Sequence, residues 1–208
     1  MKFRLEFNGE LHAGTNLQDQ WSIREALHPQ LEELYNTHPV LNGIGMSTSG
    51  PWGFMDVAGL PGKVHIEPSA YVKDKINEYK IVNGHPFIPL VRKSLSLACH
   101  LDIIFLRKGE PDSQLIKEGG DLDNRIKTLF DGLRIPSDNQ FNSYKPKSKP
   151  FYCLLEDDSL ITGWSIKSDR LLTGLNDSTN QSKTVRLLIE VSVYLLRLTE
   201  SNIGFLND

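Results

Sequence analysis

Gly119-Gly120-Asp121-Leu122-Asp123-Asn124-Arg125-Ile126-Lys127-Thr128-Leu129-Phe130-Asp131-Gly132-Leu133 is the stretch on which the reading of this chain turns. Leu122, Ile126, Leu129, Phe130 and Leu133 recur at helical spacing, which predicts a helix with one apolar face. The two glycines suit a tight turn or a close backbone approach. Asp121 suits the N-cap, and Pro136 ends the run. The polar face carries Asp123, Lys127 and Asp131 at i, i+4 and i+8, with Asn124 beside the first.

Asp121 and Asp123 offer oxygen ligands to a hard cation. Mg²⁺ typically takes one or two carboxylates and completes its shell with substrate phosphate and water. Lys127, one turn on, can contact a phosphate or offset a developing charge. The same residues also suit a helix cap and a surface ion pair worth a few tenths of a kcal/mol. The metal reading gains from a second acidic cluster, Glu156-Asp157-Asp158, which precedes an apolar strand and can fold back onto the first. An EF-hand is excluded: counted from Asp121, its fifth position is Arg125, its glycine position is Ile126 and its closing Glu is Gly132.

The pattern Asp-Leu-Asp-Asn-x-x-Lys-x-x-x-Asp-x-Leu, followed by an Asp-Asp pair leading into a strand, resembles the RusA-type Holliday junction resolvases, which are endodeoxyribonucleases. The resemblance spans residues 95–198, and its specific part is 121–133 with 156–161. It implies that Asp121, Asp123 and Asp158 bind a divalent metal, Mg²⁺ or Mn²⁺, with Asp157 the alternative third carboxylate. It also implies that Lys127 assists catalysis, and that the protein acts as a homodimer on branched, four-way DNA in recombination and repair. Two other functions stay open: a nuclease for flap or fork DNA using the same site, and a non-catalytic DNA-binding or phage-associated protein on the same scaffold.

Outward from the motif, Ser94–Leu106 alternates as a strand with Leu95, Leu97, Cys99, Leu101, Ile103 and Phe105 on one face. Asp102 and His100 fall on the other face, near the acidic site or in solvent. Strands are also expected at 160–168 and 183–198. The loop between the helix and Glu156 ends Tyr144-Lys145-Pro146-Lys147-Ser148-Lys149-Pro150. It reads either as a flexible arm whose lysines, with Arg125, follow a phosphate backbone, or as a solvated linker.

Further upstream, residues 2–12 alternate as a strand. Residues 17–36 form an amphipathic helix that Pro29 should kink or divide. Residues 53–58 and 63–66 read as short strands and 69–78 as a short helix. Trp52, Phe54, Lys73, Lys75 and Lys80 are possible contacts to nucleic acid, though core packing or solvation is the commoner role of such residues. Pro86 and Pro89 mark 84–93 as a connection or sheet edge. The last ten residues are expected to pack loosely.

The expected fold is α+β: a mixed sheet with helices packed against it, a RusA-like core at 94–198 and a divergent N-terminal elaboration at 1–93, together forming one domain. With 39% hydrophobic and 24% charged residues the composition is that of an ordinary globular protein. No apolar run approaches a membrane span, the first residues are no signal peptide, and the cytoplasm is the expected location. Two cysteines, Cys99 and Cys153, form no zinc motif, and Cys99 is expected to be a buried thiol. The net charge of −3 is low for a DNA binder, but Lys117–Lys149 carries seven Lys/Arg against five Asp/Glu.

Overall fold

The computed structural model describes residues 1–12, 16–42, 55–56, 63–64, 76, 78–107, 119–141, 144–172, 184–199, 202 and 204–205, with no side-chain description at 55–56, 63–64 or 119–122. Trp52, Phe54, Lys73, Lys75 and the body of the helix expected at 69–78 lie outside the described residues. Of the two short strands expected nearby, β2 (Met55–Asp56) pairs antiparallel with β3 (Lys63–Val64).

The main sheet has four strands in the order β1-β9-β6-β8. They are β1 (Lys2–Glu10), β6 (Leu97–Arg107), β8 (Ile161–Arg170) and β9 (Thr184–Leu195). β9 runs antiparallel to both β1 and β6, and β6 runs parallel to β8, so the sheet is mixed. Period-two alternation decides its faces. Leu5 and Phe7, then Leu97, Cys99, Leu101, Ile103 and Phe105, then Val185, Leu187, Ile189, Val191 and Val193 all point into one buried core. The other face carries charges, with Arg4 directly opposite Glu190 and bonded to it at 2.8 Å. Asp102 lies on that face, accepting a hydrogen bond from Ser165 and standing 3.4 Å from His100.

A second, three-stranded sheet, which the sequence does not announce, has the order β4-β5-β7. It comprises β4 (Lys80–Val82), β5 (His85–Val91) and β7 (Phe151–Leu155). β5 is the central strand, not an edge, despite Pro86 and Pro89. Register explains the tolerance. A two-residue turn at Asn83-Gly84, both with positive φ, makes Val82 and His85 a hydrogen-bonded pair. Pro86 therefore turns its nitrogen away from β4, and β7 begins pairing only at Phe87. Pro89 turns its nitrogen to the β4 side, beyond the point where β4 ends at Lys80.

Helix α1 (Leu17–Thr37) is capped by Asn16, whose side chain accepts from the Gln18 amide at 2.9 Å. It runs unbroken through Pro29, which does not divide it. Ile23 and Leu27 before the proline and Leu31 and Tyr35 after it are all buried in the same core, and that burial outweighs one lost backbone bond. Helix α2 (Pro39–Asn42) follows it directly. Helix α3 (Gly119–Leu133) begins at the glycines, so Asp121 sits inside the first turn and not at the N-cap. α3 packs chiefly on α1 and only at its margins on the sheets. Gly132 makes this possible: a Cβ there would lie 2.9 Å from the Ile23 Cβ. Helix α4 (Asp138–Phe141) closes a second apolar cluster of Trp21, Val82, Phe87, Phe141, Phe151 and Cys153.

The described residues of the C-terminal tail dock firmly. Asn202 is fully buried and donates to the Leu95 and Arg197 carbonyls, and Phe205 enters the main core. Cys99 and Cys153 are both buried, and burial pushes each thiol up to about 12. Among the described residues no helix is long and apolar enough to cross a membrane.

His28 on α1 ties the helix to β7. Its ring stacks on Phe151 at 4.3 Å, and its Nδ1 accepts the Tyr152 amide proton at 3.1 Å, which requires that nitrogen to be unprotonated. Burial lowers the His28 pKa below 6.5, and burial does the same to His85. A histidine that resists protonation in the folded state binds fewer protons than the unfolded chain just below pH 6.5, so stability rises with pH there and falls on acidification. The urea midpoint should therefore drop between pH 7.5 and 5.5, and less so in His28→Asn. An equal drop in both proteins would remove His28 from this account.

Candidate active site

Three features of the chain bring the two acidic segments together. α3 supplies Asp123, Lys127 and Asp131 from one face, one turn apart. Beyond α3 the chain runs alongside β7: Arg134 forms a parallel bridge with Leu155, and the Ile135 amide donates to the Leu155 carbonyl at 2.9 Å. Leu155 leads straight into Glu156-Asp157-Asp158, so the end of the helix and the second acidic cluster are fastened to each other by backbone.

Each acid of that cluster has a different task. Glu156 is tied down, accepting from the Lys93 amide at 2.9 Å and pairing with Lys80 at 3.2 Å. Lys80, a possible nucleic-acid contact by sequence, is thereby engaged in a salt bridge. Asp157 is the N-cap of a 3₁₀ turn at Asp158–Leu160 and accepts from the Ser159 amide at 3.0 Å. Hydrogen bonds from Ser159 hold the Asp157 carboxyl below the usual range. Asp157 is thus occupied as a cap, and Asp158 is the acid of this cluster that faces α3.

Asp158 joins Asp123, Ile126, Lys127, Phe130, Asp131 and Trp164 in lining an open cleft of about 230 Å³. Part of the lining is aromatic. Trp164 shares the register of Leu101 on the inner face of the edge strand β8, and meets Phe130 edge-on at 5.8 Å. Trp164 is 45% exposed. The sequence does not single out either ring. The available signal was the alternation of β8, which places Trp164 on the same face as Ile166.

The carboxylates of the cleft differ in what they already bind. Asp131 is spent on structure: Arg134 reaches its Oδ1 at 2.8 Å and Gln20 its Oδ2 at 3.2 Å. This pairing with a neighbouring base agrees with a non-ligating role for Asp131. Arg24 lies fully buried beside it, donating to the Asp131 and Arg134 carbonyls and to Gln140, and burial lowers its pKa to about 10. By contrast, among the described residues no side-chain hydrogen bond or ion pair engages Asp123, Lys127 or Asp158. The alternative of a simple Asp123–Lys127 ion pair is not realised. The side chain of Asp121 lies outside the described residues, as noted above, and among the described residues no group of three His, Cys, Asp or Glu is disposed to hold a metal.

The remaining sequence-predicted contacts lie elsewhere. Arg125 is half-buried on α3 and does not line the cleft. Lys145, Lys147 and Lys149 are exposed on a loop that is pinned down and not a free arm. Pro146 is buried, Tyr144 packs on Trp21 at 4.6 Å, and His85 bonds the Ser148 carbonyl at 2.8 Å. None of these lysines lines the acidic cleft.

No family model matches the chain, and no curated protein or solved structure matches it.

Proposed function

We propose that the cleft is the active centre of a metal-dependent endodeoxyribonuclease that hydrolyses phosphodiester bonds in branched DNA, and that the chain acts as a homodimer resolving four-way junctions in recombination and repair. One observation carries this reading: two carboxylates and an amine, drawn from segments far apart in the chain, share one cleft with no partner of their own among the described residues. A structural ion-pair network would have used them, as it uses Asp131 and Glu156.

The donor set suits the group this chemistry needs. Two carboxylates are what Mg²⁺ commonly takes when phosphate and water complete its shell. Bound there, Mg²⁺ or Mn²⁺ would supply Lewis-acid polarisation of the scissile phosphate and a more acidic water. Asp123 and Asp158 would hold it, with Asp121, two residues earlier on α3, offering a further oxygen. Lys127 would place its ammonium against the non-bridging oxygens, where negative charge grows. Phe130 and Trp164 would thin the water on the remaining side and so strengthen each charge interaction. Two symmetric nicks on a four-way junction call for two such clefts related by a twofold axis.

A nicking assay on junction, fork and linear duplex DNA in Mg²⁺ tests the reading. Paired symmetric nicks on the junction are the expected result. Equal cutting of linear duplex removes the resolvase assignment, and preferential cutting of forks or flaps transfers the site to that substrate. DNA binding with no Mg²⁺-dependent nicking overturns the enzymatic reading altogether.

A further inference from the structure

A second cavity, larger than the acidic cleft, lies on another part of the surface. A pocket of about 550 Å³ opens between the first turns of α1 and the loop at Tyr144, lined by Gln18, Trp21, Glu25 and Tyr144 among others. That volume is in the range of sites for small organic groups. Its aromatic wall is rigid. Trp21 is buried and fixed by its indole N–H, which donates to the Gln140 carbonyl at 3.1 Å, and by the Arg24 guanidinium over its ring at 4.9 Å. Tyr144 lies against Trp21 yet stays 37% exposed, and its hydroxyl donates to the Glu25 carboxylate at 2.9 Å. A carboxylate accepting one hydrogen bond keeps lone pairs for further donors.

The stretch of chain that leaves the pocket at Tyr144 is basic. Tyr144 is followed by Lys145, Lys147 and Lys149, all exposed. The chain bends over residues 147–150, so the three lysines lie along an exposed, curved loop that starts at Tyr144. An exposed aromatic face, a carboxylate acceptor beside it and cations on the loop that follows match the parts of a nucleotide: base plane, base-edge N–H, phosphates. Folded proteins that hold single strands combine the same two elements, a stacking platform and a cationic track.

We propose that this pocket binds an unpaired nucleobase of a single-stranded nucleic acid. The base lies on Tyr144, its exocyclic amine donates to Glu25, and the adjoining phosphates run along Lys145, Lys147 and Lys149. The carboxylate selects for amino-bearing bases and against a bare phosphate in the pocket itself. This site stands whether or not the acidic cleft cuts DNA, because it shares no residue with it.

The test is fluorescence anisotropy of a labelled oligo(dC) with the full chain in EDTA, where metal-dependent cleavage plays no part. Tyr144→Ala should weaken binding roughly tenfold, whereas Tyr144→Phe, which keeps the ring, should bind like wild type. Lys147→Gln should make the slope of log K against log[salt] shallower by about 0.7. An abasic strand of the same length and charge should bind the wild-type protein markedly more weakly, a comparison that needs no variant to fold. Equal binding of abasic and base-bearing strands, or undiminished binding by a folded Tyr144→Ala, overturns the proposal.

Discussion

Asp123→Asn is expected to abolish Mg²⁺-dependent nicking, losing more than the roughly 10- to 100-fold that removal of an outer-shell partner of a metal ligand costs. The fold should be untouched, because Asp123 is exposed and makes no described side-chain bond. Asp158→Asn should behave alike. Lys127→Ala should lose about 10²- to 10³-fold in turnover while leaving metal affinity near wild type, as expected of a group that meets charge in the transition state. Asp157→Ala supplies the contrast: it should keep nicking and forfeit about 1 kcal/mol of stability as a lost cap. Metal binding has its own readout. At a hundred times Kd, Mn²⁺ should stabilise the wild type by about 2.7 kcal/mol. That is a rise in Tm of roughly 5–10 °C for a chain of this size. The double variant Asp123→Asn/Asp158→Asn should show none of it. No Mn²⁺ shift in the wild type, or the same shift in both proteins, defeats the metal site.

The second large effect is expected at Gly132, where two opposing terms can be compared. Alanine is the better helix former by about 1 kcal/mol. Against this, its Cβ would stand 2.9 Å from both Cβ and Cγ2 of Ile23 and 3.0 Å from its Cδ1. Rotating the Ile23 side chain cannot move its own Cβ, and Ile23 is fully buried, so the helices themselves must part. Overpacking of this kind typically costs about 1–3 kcal/mol, before any backbone shift reaches the Asp131–Arg134–Gln20 contacts nearby. The clash should win, with Gly132→Ala melting several degrees lower and nicking more slowly, since α3 carries Asp123 and Lys127. Ile23→Ala in the same chain should recover part of the loss, a coupling that a double-mutant cycle measures. A Gly132→Ala protein as stable as wild type would show that α1 and α3 are not in such close contact.

Strands with strict alternation were legible before any coordinates: β1, β6 and β9 each write their buried face into alternate residues. The motif helix was equally legible from its apolar period. The second sheet was not, because Pro86 and Pro89 argue against a central strand unless the register of β4 and β7 is known. Gly119 and Gly120 read as a turn, yet tertiary packing of the apolar face draws them into α3. At the cleft, sequence spacing identified the segments that meet but could not divide the work within Glu156-Asp157-Asp158. That division depends on where Lys93, Lys80 and Ser159 stand in space. The lysine loop read as free because its anchors, Trp21 and His85, are far away along the chain.

The pairing of β1 with β9 has a consequence for how the protein is made. The Met1 amino group bonds the Val193 carbonyl across 192 positions of sequence. During synthesis β1 must therefore wait for the distant β9 before its apolar side is covered, and such long-range pairing makes folding slow. While it waits, Leu5 and Phe7 are open to neighbouring nascent chains. Cool, slow expression is accordingly the condition under which this chain should be recovered in good yield.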